Sequence, residues 1–299
     1  MPMSSLPTLS SLCQTNDVSA SDLPAKTVAI IQARMGSYRL PGKVLQHIAG
    51  QPMLWHIVQR ARQAMRVDQV VVATSTARAD DPIEEYCLAH EFICFRGSET
   101  DVLDRYYQTA IFTNAEVVVR LTADCPLHDP RVIDQVVSAF AQGKFDYVSN
   151  VAPPTYPDGL DTEVFTFATL KETWLHASLA SEREHVTPYI REHSAENLEN
   201  LKQENPVGAE GSDNHLVVNK FRTHNVIHTS NLSSLRWTVD ELTDLAFVRA
   251  IFHAIGRSDF GMEDVLSLLN YAPHLTSINE AITRNEGYKR SLQADRIAA

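Results

Sequence analysis

The sequence predicts an α/β chain built on a doubly wound, mostly parallel sheet, followed by a smaller mixed α+β subregion. Three observations predict it. Strand-like and helix-like segments alternate from Thr27 to Asn150. The central apolar runs AIIQA, QVVVATS and EVVVRLT are continuous and do not alternate, as expected of parallel strands covered on both faces. After about Asn150 the rhythm changes and polar, Asn- and Glu-rich stretches appear. Repeated strand–helix–strand units close through right-handed crossovers, which gives a Rossmann-like three-layer sandwich.

Each element follows in order. TVAIIQA reads as a strand and PMLWHIVQRARQAM as a helix, with Pro52 suited to its first position and Leu54, Ile57, Val58, Ala61 and Met65 on one face. QVVVATS is a strand, DPIEEYCLAH a short helix and FICF a short strand. DVLDRYYQTAIF is a helix with Asp101 as its expected N-cap. EVVVRLTAD is a strand, PRVIDQVVSAFAQ a helix and FDYVSN a strand. Beyond it, TEVFTFAT reads as a strand, LKETWLHASL and SEREHVTPYIREH as helices, and LVVNKF and LRWTV as short strands. LTDLAFVRAIFHAI and MEDVLSLLNYA are helices, and TRNEGYKRSLQADRIAA a frayed helical tail. Residues 1–25 read as a flexible tail, 26–255 as the main domain with a subregion at about 151–234, and 256–299 as a helical extension. Asn197 to Asn214 reads as a polar surface insertion.

The bulk numbers exclude some classes. The chain has 299 residues and a net charge of −11. That balance argues against a nucleic-acid or anionic-membrane binder, which would show a broad basic face. No apolar run reaches the length that spans a bilayer. The N-terminus lacks the pattern of a secretory signal. Four scattered cysteines form no CxxC and suggest a reducing compartment, so a cytoplasmic setting is expected.

Within this acidic chain, IIQARMGSYRLPGKVL turns abruptly basic and small after a buried-looking strand. In doubly wound folds ligands sit at the carboxyl ends of strands. A glycine-bearing loop there presents backbone N–H groups to phosphate oxygens, and Arg34, Arg39 and Lys43 add charge. Read on charge alone, the loop is equally a solvated basic turn. It is no Walker A, because Val44 follows Lys43, and it is not GxGxxG.

The spelling QARxxSxRLPGKxL, with a PML segment after it, resembles the cytidylyltransferases that activate acidic sugars. These include the CMP-ulosonate and acylneuraminate cytidylyltransferases and especially the SpsF-like branch of spore-coat polysaccharide biosynthesis. The resemblance runs from Val28 to about Phe252. It includes ATS at Ala73 to Ser75, RGSETDVLDRY at Arg96 to Tyr106, RLTADCPL at Arg120 to Leu127, REHVTPYI at Arg183 to Ile190 and LRWTVD at Leu235 to Asp240. It implies the nucleotide-diphospho-sugar transferase fold and a CTP-dependent transfer of CMP to an acidic sugar with release of pyrophosphate. It also implies a magnesium cofactor and a homodimer, with no nucleic-acid or membrane partner, and places the reaction in surface polysaccharide synthesis.

Asp124 and Asp240 each stand at the end of an expected strand, where two carboxylates can converge on one hard cation such as magnesium. By spacing alone the cap reading comes first for both, Asp240 as N-cap of the following helix and Asp124 capping the turn into Cys125-Pro126. The resemblance implies the metal role for both. Where the family spells Pro-Glu-Asp-Leu, this chain has Leu242-Thr243-Asp244-Leu245, so a proline is lost and the preceding carboxylate kept. The resemblance makes Arg34, Arg39, Lys43 and Asp124 the catalytic set. It places CTP against Ala33, Gly36 and Ser37 of the same loop, against Ala73 and Ser75, and against Arg96 and Arg120. For the two last arginines an intraprotein ion pair is an equal alternative.

PPTYPDGLDTEVF gathers Asp158, Asp161 and Glu163 around Gly159. It is either a solvated turn or, as the resemblance implies, the border of the sugar site. Arg183 and His185 are candidates for binding the carboxylate of the sugar, against a structural role in their helix. Other functions keep the same sheet: a nucleotide-sugar-dependent glycosyltransferase, which usually carries Asp-x-Asp where this chain has Thr-Ala-Asp-Cys-Pro, a non-catalytic nucleotide-binding scaffold, or a nucleotidyltransferase with a phosphonate, amino acid or polyol phosphate acceptor.

Overall fold

A computed structural model describes residues 25–194, 221–282, 284 and 286–298. Residues 1–24, the whole Asn197 to Asn214 insertion and most of LVVNKF lie outside it.

A seven-stranded sheet organises the molecule. It comprises β1 (Thr27–Gln32), β4 (Gln69–Ser75), β5 (Ile93–Gly97), β6 (Val117–Thr122), β7 (Tyr147–Ser149), β8 (Glu163–Thr166) and β9 (Thr223–Asn225), in the order β5-β4-β1-β6-β8-β7-β9. A small hairpin, β2 (His47–Ile48) with β3 (Gln51–Pro52), leads into α1 (Met53–Arg62). β5, β4, β1 and β6 pair in parallel, whereas β8 runs antiparallel to both β6 and β7. The chain winds outward from β1 through β4 to β5, then returns to place β6 on the other side of β1. That reversal is the switch point at which such sheets open a crevice.

The continuous strands bury both faces, as their composition requires. Ala29 and Ile31 of β1 pack with α1, α2 (Asp81–Ala89) and α4 (Pro130–Phe140). Val28 and Ile30 pack with α3 (Val102–Thr113) and with Leu170 of α5 (Phe167–His176). A third cluster joins Trp237 and Leu160 to α8 (Leu242–Ile255) and α9 (Met262–Tyr271). It also takes in Leu40, Ile48 and Met53, so these C-terminal helices pack against the segment that follows β1.

Several elements differ from expectation for local reasons. Asp101 caps α3 by accepting from Asp104 N at 2.8 Å, as its position suggested. Pro52 stands one residue before α1, where it closes the hairpin. SEREHVTPYIREH is two helices, α6 (Ala180–His185) and α7 (Pro188–Glu192). The break falls where Val186 takes φ 72° and Pro188 can no longer continue the ladder. LRWTV forms no strand. Its Arg236 bridges to Asp158, and Trp237 N and Thr238 N both donate to Asp158 O. β9 was not read from the sequence, because THN carries no apolar run. Glu286–Ala298 forms the last helix, α10.

Candidate active site

The segment after β1 is shaped by its own backbone and by one buried carboxylate. Gly42 N and Ser37 N both donate to Met35 O, and Gly42 adopts φ 69°, a conformation that glycine takes at little cost. Asp80 accepts from Met35 N at 2.7 Å and from the amide and hydroxyl of Ser75, tying this loop to the end of β4. A short 3-10 turn, Lys43–Leu45, then aims Lys43 inward.

Lys43 Nζ donates to Asp124 Oδ2 at 2.7 Å, to Asp240 Oδ1 at 2.9 Å and to Val239 O at 2.8 Å. The cationic loop and the two aspartates therefore meet at one point. Asp124 lies two residues beyond β6, and Val239 N donates to Asp124 O at 2.9 Å, which locks the two aspartate-bearing segments side by side. Neither aspartate is a cap. The N-cap position of α8 is Glu241, and Asp244 accepts from the amides of Asp240 and Glu241.

Charge is heavily shared here. Arg39 pairs with Asp240 at 2.8 Å and with Glu286 at 2.8 Å. Arg236, almost fully buried, forks between Asp158 (3.1 Å), Asp240 (2.9 Å) and Asp244 (2.9 Å). Burial alone would raise the Asp240 carboxyl, yet Lys43, Arg39 and Arg236 hold it at about 2. Burial likewise opposes the charge on Lys43, and the two aspartates outweigh it and raise its pKa. Asp158 has the reverse balance. Burial and Asp161 push it up to about 7 against the pull of Arg284 and Arg236.

A cavity of about 750 Å³ opens over this cluster. Ala33, Arg34, Ser37, Arg39 and Lys43 line one side, with Arg120 and Asp124 from β6 and its loop. Asp158, Asp161, Glu163 and His185 line the other. Its described lining carries nine arginine or lysine side chains and seven carboxylates, in a chain that is acidic overall.

The structure sets five of the expected ligand residues apart from this cavity. Gly36 and Ala73 are not in its lining, and Ala73 O accepts from Ala33 N at 3.1 Å. Ser75 is held by Asp80. Arg96 is engaged with Asp81 and Glu84, both at 2.7 Å, and with the carbonyls of Ser75 and Ala77. Arg183 turns to Asp101 and to Trp174 O.

Within the cavity, Glu163 is nearly inaccessible and pairs with Arg120 and Arg191, while Tyr147 and Thr187 hydroxyls each donate to it at 2.6 Å. Its donors hold it below the usual carboxylate range despite burial. Glu163 therefore orients two arginines. His185 is half-buried, and this burial together with neighbouring arginines lowers it to about 4 against the pull of Glu184. It faces Ser291 and the Tyr288 ring. Sequence reasoning missed Arg191, Arg236 and Arg284. Arg191 sat in the quoted helix and Arg236 in the quoted LRWTVD motif, but spacing gave no sign that either faces a cavity.

The family model described as cytidylyltransferase matches residues 28–248. The chain belongs to that family. It is accordingly a nucleotidyltransferase, and the matched span contains every residue of the Lys43 cluster. The spore coat polysaccharide biosynthesis protein SpsF of Bacillus subtilis is 33% identical over 260 residues, covering 84% of this chain and 97% of that protein. A 3-deoxy-manno-octulosonate cytidylyltransferase of Anaeromyxobacter is 36% identical over 147 residues, 48% of this chain and 58% of the relative. A solved cytidylyltransferase of Leptospira borgpetersenii superposes with a TM-score of 0.74 at 28% identity, covering 87% of this chain and all of that one. These likenesses confirm the nucleotide-diphospho-sugar transferase type of fold.

The cytidylyltransferase fold commonly carries a divalent metal, and the residues present fit one. Two carboxylates from separate segments converge on a single cationic atom, Lys43 Nζ. A hard divalent cation takes one or two carboxylates in such a place and completes its shell with phosphate oxygens and water. Among the described residues no group of three or more metal-ligating side chains exists, so the protein itself would supply only part of that shell.

Proposed function

We propose that this cytidylyltransferase transfers CMP from CTP to a hydroxyl of an acidic sugar of the ulosonic or nonulosonic class, releasing pyrophosphate. The observation that carries the reading is the meeting of Lys43 with Asp124 and Asp240 at the floor of a large, cation-rich cavity. The names of the relatives, one acting on 3-deoxy-manno-octulosonate and one in spore coat polysaccharide biosynthesis, support an acidic sugar destined for a surface glycan.

In the mechanism, the acceptor oxygen attacks the α-phosphorus, the bond to the β-phosphate bridging oxygen breaks, and the hydroxyl proton is lost to water or a carboxylate. Arg34, Arg39 and Lys43 hold the polyphosphate and offset the charge that develops on pyrophosphate. Asp124 and Asp240 would hold magnesium, which when bound neutralises phosphate charge and favours the deprotonated acceptor oxygen. Arg120 and Arg191, fixed by Glu163, offer guanidinium forks to the acceptor's carboxylate. Asp158 and Asp161 accept from its hydroxyls. Positioning and electrostatics account for the acceleration, with no covalent intermediate.

The reading also carries a homodimer, from the family resemblance, and a cytoplasmic setting, from the scattered cysteines. No helix among the described residues is long and apolar enough to cross a membrane. The test incubates the protein with each of the four nucleoside triphosphates, magnesium and a panel of acidic sugars, polyol phosphates and amino acids, and follows pyrophosphate. Release confined to CTP with an acidic sugar is expected. Release with CTP and only a non-acidic acceptor overturns the substrate class, and turnover of UDP-sugars without nucleoside triphosphates overturns the reaction.

A further inference from the structure

The C-terminal segment lies beyond residues 28–248 of the family match, yet it walls the same cavity. Arg284 donates to Asp161 Oδ1 at 2.6 Å and to Tyr156 O at 3.2 Å. Glu286 Oε2 accepts from Arg39 Nη1 at 2.8 Å. Ser291 donates to Glu184 at 2.9 Å and contacts His185, and Asp295 accepts from Ser181 N. The segment thus touches the phosphate-side loop through Glu286 and the acceptor side through Arg284 and α6.

Arg39 uses its two terminal nitrogens on two close carboxylates, Nη2 on Asp240 and Nη1 on Glu286, with Glu241 farther off at 3.9 Å from Nη1. A guanidinium fork bridging two anions in this way has little left for a third. Asp240 is fixed from three sides by Lys43, Arg236 and its own amide's bond to Asp244. Glu286 pairs with Arg39, and its side chain is 40% exposed. Of the two carboxylates 2.8 Å from Arg39, Glu286 is the one that can leave.

We propose that Glu286 is an internal stand-in for a phosphate oxygen of the nucleotide, so that a polyphosphate must displace it from Arg39 and the C-terminal segment competes with nucleotide for the site. The inference rests on the nucleotidyl-transfer reading, since it assigns Arg39 to the polyphosphate.

The experiment measures binding of CTP and of inorganic tripolyphosphate by calorimetry, with calcium replacing magnesium to suppress turnover. Glu286→Gln keeps the side-chain shape and removes the charge. It should tighten both ligands by about threefold, the scale of one partly exposed ion pair. Cytidine, which has no phosphate, should be unaffected. In an Arg39→Gln background the same substitution should give no gain, because the competitor then has nothing to occupy. Equal affinities in wild type and Glu286→Gln overturn the proposal. So does a gain that persists without Arg39, which would mark a general effect of removing negative charge. Absence of CTP binding in every variant, with thermal unfolding showing them folded, overturns the nucleotidyl-transfer reading and this inference with it. CTP binding that is insensitive to Glu286 overturns this inference alone.

Discussion

Lys43 holds its position because two carboxylates compensate its burial, and the converse also holds. Lys43→Ala leaves Asp124 and Asp240 facing each other without their shared cation. Both keep about a quarter of their side-chain surface exposed, so the loss falls below that of a fully buried pair, at about 2 kcal/mol. The expected outcome is a lower melting temperature that magnesium raises by more than it raises that of the wild type, read by thermal unfolding at two magnesium concentrations. An equal magnesium response would place the metal elsewhere. Asp124→Asn keeps shape and removes charge. It should leave the circular dichroism spectrum unchanged and lower turnover at least about a hundredfold, measured by pyrophosphate release. At this scale the sequence was most legible where a motif was spelled out. Lys43, Asp124 and Asp240 stand in quoted motifs and meet in space. Arg96 and Arg183 stand in quoted motifs too, but their partners Asp81, Glu84 and Asp101 come from other elements, and spacing along the chain carries no such information.

Elements position the site through two loops that hold little regular structure. The turn at Gly159 lies against the extended segment 236–240. Gly159 has φ 110°, and a Cβ there would stand 2.6 Å from Thr238 N and 2.7 Å from Trp237 C, both backbone atoms. Gly159→Ala must therefore push the Asp240-bearing segment away or strain its own turn. The expected cost is about 2 kcal/mol or more in urea unfolding, with activity lost out of proportion to stability. Wild-type activity in this variant would show that the two segments move independently of the chemistry. Periodicity read the helices and parallel strands well, because apolar spacing directly reflects which face is covered. It failed at LRWTV. Val and Trp suggested a strand, but those side chains are buried against α8 and α9, and the backbone pairs with a loop.

For the whole molecule, the buried titrating groups predict a pH signature. The folded pKa of Asp158, about 7, lies above its ordinary value near 3.8, so the folded state binds the extra proton between those limits. Its contribution to stability is full at low pH and declines as pH rises from about 4 to about 7. The depressed His128 and His185, each at about 4, act oppositely, since their folded forms resist protonation below pH 6.5. Comparing wild type with Asp158→Asn isolates the first effect. The difference in unfolding free energy should move in favour of the variant as pH rises from 4 to 7 and then level off. A difference independent of pH would mean that Asp158 is ionised throughout. The amino-acid sequence by itself determined the alternation of strands and helices, the parallel character of the central sheet and the basic loop after β1, because each is written in local spacing and composition. Tertiary structure alone decided which charges share one cavity. Glu163 became a buried anchor for two arginines, and Glu286 reached Arg39 across most of the chain. Such pairings depend on where distant segments are brought together, and that is settled by packing of the three apolar clusters rather than by any residue's neighbours in sequence.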